Sequence, residues 1–406
     1  MTSQPHLKRG LNLTLLTLYG LGTTIGAGIY VLIGKVAGSA GLYAPLSFLL
    51  ASVLVAFSAF SFAELASRMP RSAGEAVYIR EGFDSQRLAL VIGLLVILAG
   101  LVSSAAISRG FVGYFQVLVD LPDWLCIVLI VGALAAVAAW GITESASLAA
   151  FITVVEAAGL LYVIWSGRGS FATLPDQLPN LPPALDGATW VGVLAGVVVA
   201  FYAFIGFEDM VNVAEEVKDV RRTMPRAILI TLGATALLYV LVGLVAVLSV
   251  PVSDLAASRA PLALLVERAT GTSGTWISVI AVIAVLNGAF IQIIMASRVL
   301  YGLGKQGWLP AFFAAVHPRR HTPVNATFVV SAIVLAFALA LPLETLARTT
   351  SLVTLGIFAI VGLALWRIKG RGPAPEGAVT YPRWISLCGF LACSAVLLAE
   401  LVRLAS

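Results

Sequence analysis

The chain has 406 residues, of which 60% are apolar and only 11% charged, and its mean hydropathy is +1.00. A soluble domain carries roughly 25% charged residues, so this composition excludes a soluble globular protein and makes the bilayer the solvent. The net charge of +5 and pI near 9.2 do not signal nucleic acid. No solvated basic stripe exists, and basic residues of membrane proteins gather in cytoplasmic loops.

A helix crosses the hydrocarbon core with about 20 apolar residues. On that rule the sequence predicts about eleven spans: 12–36, 42–67, 88–116, 124–141, 144–167, 188–215, 226–250, 275–302, 323–341, 346–367 and 384–404. Lys8 and Arg9 precede a stretch too long for a secretory leader, so it reads as an uncleaved first span. With the N-terminus cytoplasmic, Lys and Arg favour the inner loops by roughly three to one. The odd span count then places the C-terminus outside. Residues 70–87 predict a turn and a short amphipathic cytoplasmic helix, and 251–274 a short external helix able to lie over a vestibule. No soluble domain or long linker interrupts the chain, which reads as one domain, 1–406.

Two spans carry helix-disfavouring residues. Span one contains Gly20, Gly22, Gly26 and Gly28, each costing about 1 kcal/mol relative to alanine. Span six contains Ile205-Gly206-Phe207-Glu208-Asp209, and an acid at a span centre costs roughly 2.5–3.5 kcal/mol on insertion scales. Broken backbone at membrane depth is tolerated where it lines a cavity. Freed amides can hold a carboxylate and freed carbonyls an ammonium. Paired breaks in spans one and six fit two inverted five-span repeats with one added span. The glycine run of span one by itself also fits close helix packing.

Four stretches then resemble one family: GTTIGAGIYVLIG (22–34), FAELASRMPRSAGEAVYI (62–79), FYAFIGFEDMVNVAEEVKDVRRTMPRAI (201–228) and SRVLYGLGKQGWLP (297–310). The chain resembles the amino acid–polyamine–organocation (APC) superfamily, in the bacterial branch similar to cationic amino-acid transporters. The resemblance runs from about residue 10 to 370. It implies an all-α polytopic membrane protein with the five-plus-five inverted-repeat transporter fold. Repeat one would be about 12–167, repeat two about 188–367, with an extra helix at 384–404 and helices 1 and 6 interrupted.

By the same resemblance the substrate site is Thr23, Thr24, Ile25, Gly26, Ala27, Gly28, Tyr202, Ala203, Phe204, Ile205, Gly206, Glu208 and Gln292. The amides of Gly26, Ala27 and Gly28 would hold the carboxylate. Carbonyls near Thr23, Thr24, Ala203 and Phe204 would hold the amino group. Tyr202 matches a gating aromatic and Glu208 an acid linked to pH response. Gln292 would line the side-chain pocket, and Ser297 joins Glu156 and Glu208 as an ion- or proton-coupling candidate. The expected function is proton-coupled amino-acid transport by alternating access across the bacterial cytoplasmic membrane. The alternatives are an amino-acid or polyamine exchanger, or a non-transporting sensor. The substrate is an amino acid, possibly cationic, or a polyamine. Sodium is the weaker alternative as coupling ion, and monomer and homodimer stay open. Family members commonly have twelve spans, one more than here.

Glu156 departs from several relatives, which place a lysine at the matching point of span five. At mid-membrane its carboxylate would be an uncompensated charge, so it reads as a proton carrier, a structural hydrogen bonder or a partner of Arg109 or Arg298. Glu64 and Glu75 resemble family gate residues, or are solvated loop charges. Ser103 and Ser104 fit substrate contact or helix packing. GLGKQG (302–307) lacks P-loop spacing, and no HExxH or GxS-type motif appears, so no enzymatic activity is expected. His6, His317 and His321 lack metal-ligand spacing, and no cofactor is expected. Cys126, Cys388 and Cys393 read as small buried hydrophobes. Residues 117–123 hold no cysteine for a covalent ancillary subunit.

Overall fold

The computed structural model describes residues 9–115, 121–140, 142–173, 175, 186–258 and 260–405. The expectations resting on His6, Lys8 and most of the 117–123 loop fall outside these residues. The spanning elements are α1 (Leu13–Ala40), α2 (Ala44–Arg68), α4 (Gln86–Phe115), α5 (Asp123–Trp140) and α6 (Ile142–Ser166). They continue with α7 (Gly187–Ala203), α8 (Val220–Ser249), α11 (Thr275–Lys305), α12 (Val324–Ala340), α13 (Leu343–Arg371) and α14 (Arg383–Ala405). Short connecting helices are α3 (Gly74–Phe83), α9 (Val252–Ala257) and α10 (Pro261–Thr270).

Each of the eleven predicted spans is therefore helical. Among the described residues nine stretches are long and apolar enough to cross a membrane, and two shorter apolar helices, Val324–Ala340 and Arg383–Ala399, complete the set. No strand occurs among the described residues, only one isolated parallel bridge between Leu11 and Val217. The outer surface carries Trp124, Trp140, Phe151, Trp165, Phe328 and Trp384, all exposed. Such large apolar groups are stable facing lipid, with tryptophans suited to the interface.

α1 is the central element and packs against α6, α7, α8 and α11. It is held by small contacts. A Cβ on Gly28 would lie 3.1 Å from the backbone of Ala203, so a side chain there would have to push α1 and α7 slightly apart. At the C-terminal end of α1, α9 lies against Gly34 and Gly38, and Arg268 of α10 pairs with Asp254 of α9 at 2.9 Å. The 251–274 segment thus caps α1 as a helix pair rather than as one helix.

At the opposite end the connector between α13 and α14 is strapped to α2. Glu64 accepts from Arg68, from Lys369 Nζ at 2.7 Å and from Tyr381 N at 2.9 Å. Ser67 Oγ accepts from Val379 N at 3.0 Å. Glu64 and Glu75 are both buried, which corrects the reading of them as solvated loop charges. The Glu64 carboxylate thus meets two cations and a linker amide at once. α3 likewise buries most of its face, so it is not a surface amphipathic helix.

Candidate functional site

Helix 6 breaks after α7. Phe204 N donates to Phe201 O at 3.0 Å and Ile205 N to Tyr202 O at 3.3 Å, and the chain then turns at Gly206, φ +128°. It resumes as a 3-10 segment, Phe207–Glu216. Only glycine fits the turn, for two reasons. That φ lies in a region L-residues rarely adopt, and a Cβ would sit 2.7 Å from Thr23 O. Phe62, Phe207 and Phe358 stack edge-on beneath the break, with centroids 5.4–5.9 Å apart.

Freed backbone groups at membrane depth need partners, and the chain supplies them. Gly206 N donates to the carboxyl Oε2 of Glu208 at 2.7 Å. Ala203 O accepts from Tyr239 Oη at 3.0 Å, and the same hydroxyl reaches Thr24 O at 2.7 Å. The carbonyls expected to bind an ammonium thus converge on one donor from α8. Phe204 and Ile25 are fully buried beside them, while Tyr202 and Ile205 are half-buried.

Helix 1 is not interrupted. α1 is one α-helix from Leu13 to Ala40, which corrects the expected break. Amides in mid-helix point to carbonyls one turn earlier, so those of Gly26, Ala27 and Gly28 form no open cradle here. The side-chain surroundings of residues 26 and 27 fall outside the described residues. The reason is packing. A Cβ on Gly20 would lie 2.3 Å from Met210 Sδ, and one on Gly22 would lie 2.2 Å from Thr153 Oγ1 and 2.6 Å from Asn287 Nδ2. The hydroxyls of Thr23 and Thr24 add bonds to Tyr19 O (2.9 Å) and Gly20 O (2.8 Å). Tertiary contact overrides the weak helix propensity of the glycines.

Glu156 is fully buried on α6. Its Oε1 accepts from Asn287 Nδ2 at 3.1 Å, and Asn287 also reaches Thr153 Oγ1 at 3.1 Å. Tyr30 Oη donates to the Glu156 backbone carbonyl at 2.9 Å. Neither expected basic partner is present. Arg109 donates to Ala338 O at 2.8 Å, and Arg298 pairs with Glu216 at 3.1 Å. Both arginines are engaged elsewhere, Arg298 about three turns along α11 from Asn287, so Glu156 is answered by an amide instead of a cation.

The second half of helix 6 is tied to its neighbours by a polar residue on nearly every turn. Asp209 Oδ2 accepts from Gln292 Nε2 at 2.6 Å, so Gln292 is engaged by an acid at the break. Asn212 bridges to α3, Glu215 accepts from Ser72 N at 3.3 Å and binds Lys305, and Glu216 pairs with Arg298, both fully buried. Ser297 Oγ donates to Ile294 O and accepts from Arg298 Nη1 at 3.0 Å, so it supports the arginine. A cavity of ≈ 660 Å³ opens at this end, lined in part by Arg9, Pro70, Arg71, Glu215, Lys305 and Trp308. Ser104 donates to Ala289 O at 3.1 Å and serves helix packing. His317 Nδ1 accepts from the amides of Arg319 and Arg320.

Sequence reasoning passed over Tyr239, Asn287 and Asn212, and noted Asp209 only as part of the break. Asn287 was the most findable, because an amide inside a span is a functional candidate by default. Tyr239 gave no such signal, since a lone tyrosine in an apolar span is commonplace.

These elements define an all-α polytopic membrane protein built around a broken helix. The amino acid permease family model matches residues 11–402. The chain belongs to that family, within the APC superfamily. It is 31% identical over 387 residues to the vacuolar cationic amino acid transporter 4 of Arabidopsis thaliana, covering 89% of this chain and 63% of that protein. It is 28% identical over 398 residues to a branched-chain amino acid permease of Bacillus subtilis, covering 92% and 83%. It is also 28% identical over 401 residues to a methylthioribose transporter of the same bacterium, covering 93% and 84%. The chain therefore spans less than two thirds of the plant relative's length.

Proposed function

We propose that the protein is a secondary transporter that moves an amino acid across the bacterial cytoplasmic membrane by alternating access, coupled to protons. One observation carries this reading: the helix-6 break holds internal stand-ins for both ends of a zwitterion. Glu208 presents a carboxylate to the Gly206 amide, and Tyr239 presents a donor to the carbonyls of Thr24 and Ala203. A free amino acid offers the same two groups on one carbon. In this reading Tyr202, Ala203, Phe204, Ile205 and Gly206 form one wall of the site, and Thr23, Thr24, Ile25 and Gly28 the other. Opening of α1 near Gly26 is the step that would expose the amides for the substrate carboxylate.

Glu156 is the coupling residue of this scheme. Its Oε2 and the Oδ1 of its partner Asn287 are both buried without a partner. A proton on the carboxyl supplies a donor to a pair that otherwise lacks one, and removes a buried charge that no cation answers. The network touches α1 at Gly22, so a change at Glu156 is felt by the helix that lines the site. The two five-helix repeats, about 12–167 and 188–367, and the cytoplasmic N-terminus belong to the same proposal.

The relatives are named for cationic amino acids, branched-chain amino acids and methylthioribose, so the ligand screen spans all three, with polyamines. A ligand at a hundredfold its Kd stabilises the folded state by about 2.7 kcal/mol. The expected result is a thermal shift with an amino acid, and counterflow of that amino acid in proteoliposomes. A shift without flux makes the protein a sensor; flux only against internal substrate makes it an exchanger. If Glu156→Gln keeps both uptake and its pH dependence, coupling through Glu156 is wrong.

A further inference from the structure

α3 carries a buried acid that the scheme above does not use. Glu75 stands in the first turn of α3 and is 1% exposed. Its Oε1 accepts from Asn212 Nδ2 at 3.2 Å, and Asn212 Oδ1 in turn accepts from Gly74 N at 3.1 Å. Its Oε2 is buried without a partner, as is the hydroxyl of Tyr78 in the same helix. Asn212 lies one turn beyond Asp209, so a single amide links α3 to the acidic end of the helix-6 break.

Among the described residues no cation pairs with this carboxyl. α13 faces α3 with Arg367 and Arg371, but these donate to Gly82 O at 3.0 Å and Glu81 O at 2.6 Å at the far end. Arg87 of α4 is exposed. Arg68 of α2 is held by Glu64, and Arg298 and Lys305 of α11 by Glu216 and Glu215. α1 brings Tyr19, within electrostatic reach of Asp209. Helix 6 brings Glu208 and Asp209, both acids within electrostatic reach. The helix N-terminus favours an ionised Glu75, yet burial outweighs it and raises the carboxyl from its ordinary 4.5 to about 8.

We propose that Glu75 is a second proton-carrying site, which takes up a proton on its free Oε2 and releases it to water through the cavity at the connector leading into α3. This rests on the proton-coupled reading above. The cavity reaches the connector that leads into α3, at Pro70 and Arg71, and Ser72 N on that connector is held by Glu215 of helix 6. Movement of the second half of helix 6 pulls on that bond and wets the turn. Once wetted, Glu75 returns toward the ordinary carboxylate range, and the proton leaves. Release is thereby tied to opening on the cavity side.

The test uses the purified full chain with Glu75→Gln, which mimics the protonated acid, and Glu75→Asp, which keeps a proton site. The first readout is thermal stability against pH without substrate. A native carboxyl at about 8 holds a proton that the unfolded chain gives up near 4.5, so this group makes stability fall as pH rises between those values. Glu75→Gln should lose that part of the slope and Glu75→Asp should retain it. The second readout is transport: Glu75→Gln should keep counterflow but take up no more substrate with an inward proton gradient than without one. An unchanged stability slope, or gradient-driven uptake intact in Glu75→Gln, overturns the proposal. Loss of counterflow in that variant also overturns it, by marking Glu75 as a structural group. If the wild type itself ignores the gradient, the proton-coupled reading falls and the carrier role with it. The slope then reports separately whether Glu75 holds a proton.

Discussion

Helices 1 and 6 lie against each other and treat glycine in opposite ways. α1 holds Gly20, Gly22, Gly26 and Gly28 and stays helical throughout, whereas helix 6 breaks at one glycine, Gly206. At about 1 kcal/mol each, the four glycines weaken α1 but give its backbone nowhere better to go. Met210, Thr153, Asn287 and Ala203 fill the space that side chains would have taken. At Gly206 the chain has an alternative. Glu208 takes the freed Gly206 amide and Tyr239 the freed Ala203 carbonyl, so partners offset the cost of leaving the helix. Glycine density is thus a signal of close packing, and a break needs partners for the bonds it releases.

The largest test of this contrast is at the far end of the broken helix. Glu216→Leu leaves Arg298 buried and uncompensated, and should cost about 3–5 kcal/mol in thermal or denaturant unfolding. The double variant Glu216→Leu with Arg298→Met should recover most of that loss, since buried ion pairs replaced by apolar groups are often neutral. A single variant as stable as wild type would mean that the segment is not anchored there.

Next is the turn itself. Gly206→Ala meets an unfavourable φ and the Thr23 backbone together. The strain alone should cost about 1–3 kcal/mol, with loss of the ligand-induced thermal shift. Full ligand response in this variant would show that the break is not the site.

Tyr239→Phe should lower the stability of the substrate-free protein by about 1 kcal/mol, the net worth of a hydrogen bond. It also empties the carbonyl pair of its internal donor. The thermal shift with substrate should therefore grow relative to wild type. A shrinking shift would sink the idea that Tyr239 stands in for the ammonium.

The smallest effect is expected in α1. Gly20→Ala gains helix propensity, offset by the shift it forces on the flexible but buried Met210 side chain and the Thr231 hydroxyl. It should stay within about 1 kcal/mol of wild type and keep counterflow. A collapse of activity would mean that helix 1 must unwind at Gly20 during transport.

Much of the fold was legible because bilayer solvation makes hydropathy a direct record of helix position. All eleven spans follow from it, and helix 6 announced its break through Gly206 beside two acids. Helix 1 misled, because propensity is local while the contacts that hold Gly20 and Gly22 straight come from α6, α8, α11 and helix 6. The partners of Glu156 were misjudged for a related reason. Charge alone suggested Arg109 or Arg298, but which helix face meets which is set by packing.

The amino-acid sequence by itself determined that this is a polytopic membrane protein, which segments span, and where an acid sits at membrane depth. Those properties depend on single segments and their solvent. Only the tertiary structure decided that α1 is continuous, that Tyr239 joins Thr24 to Ala203, and that Glu75 is buried against Asn212 of helix 6 with its second carboxyl oxygen unpartnered. Each of these depends on groups distant in sequence meeting within hydrogen-bond reach, which no local pattern encodes.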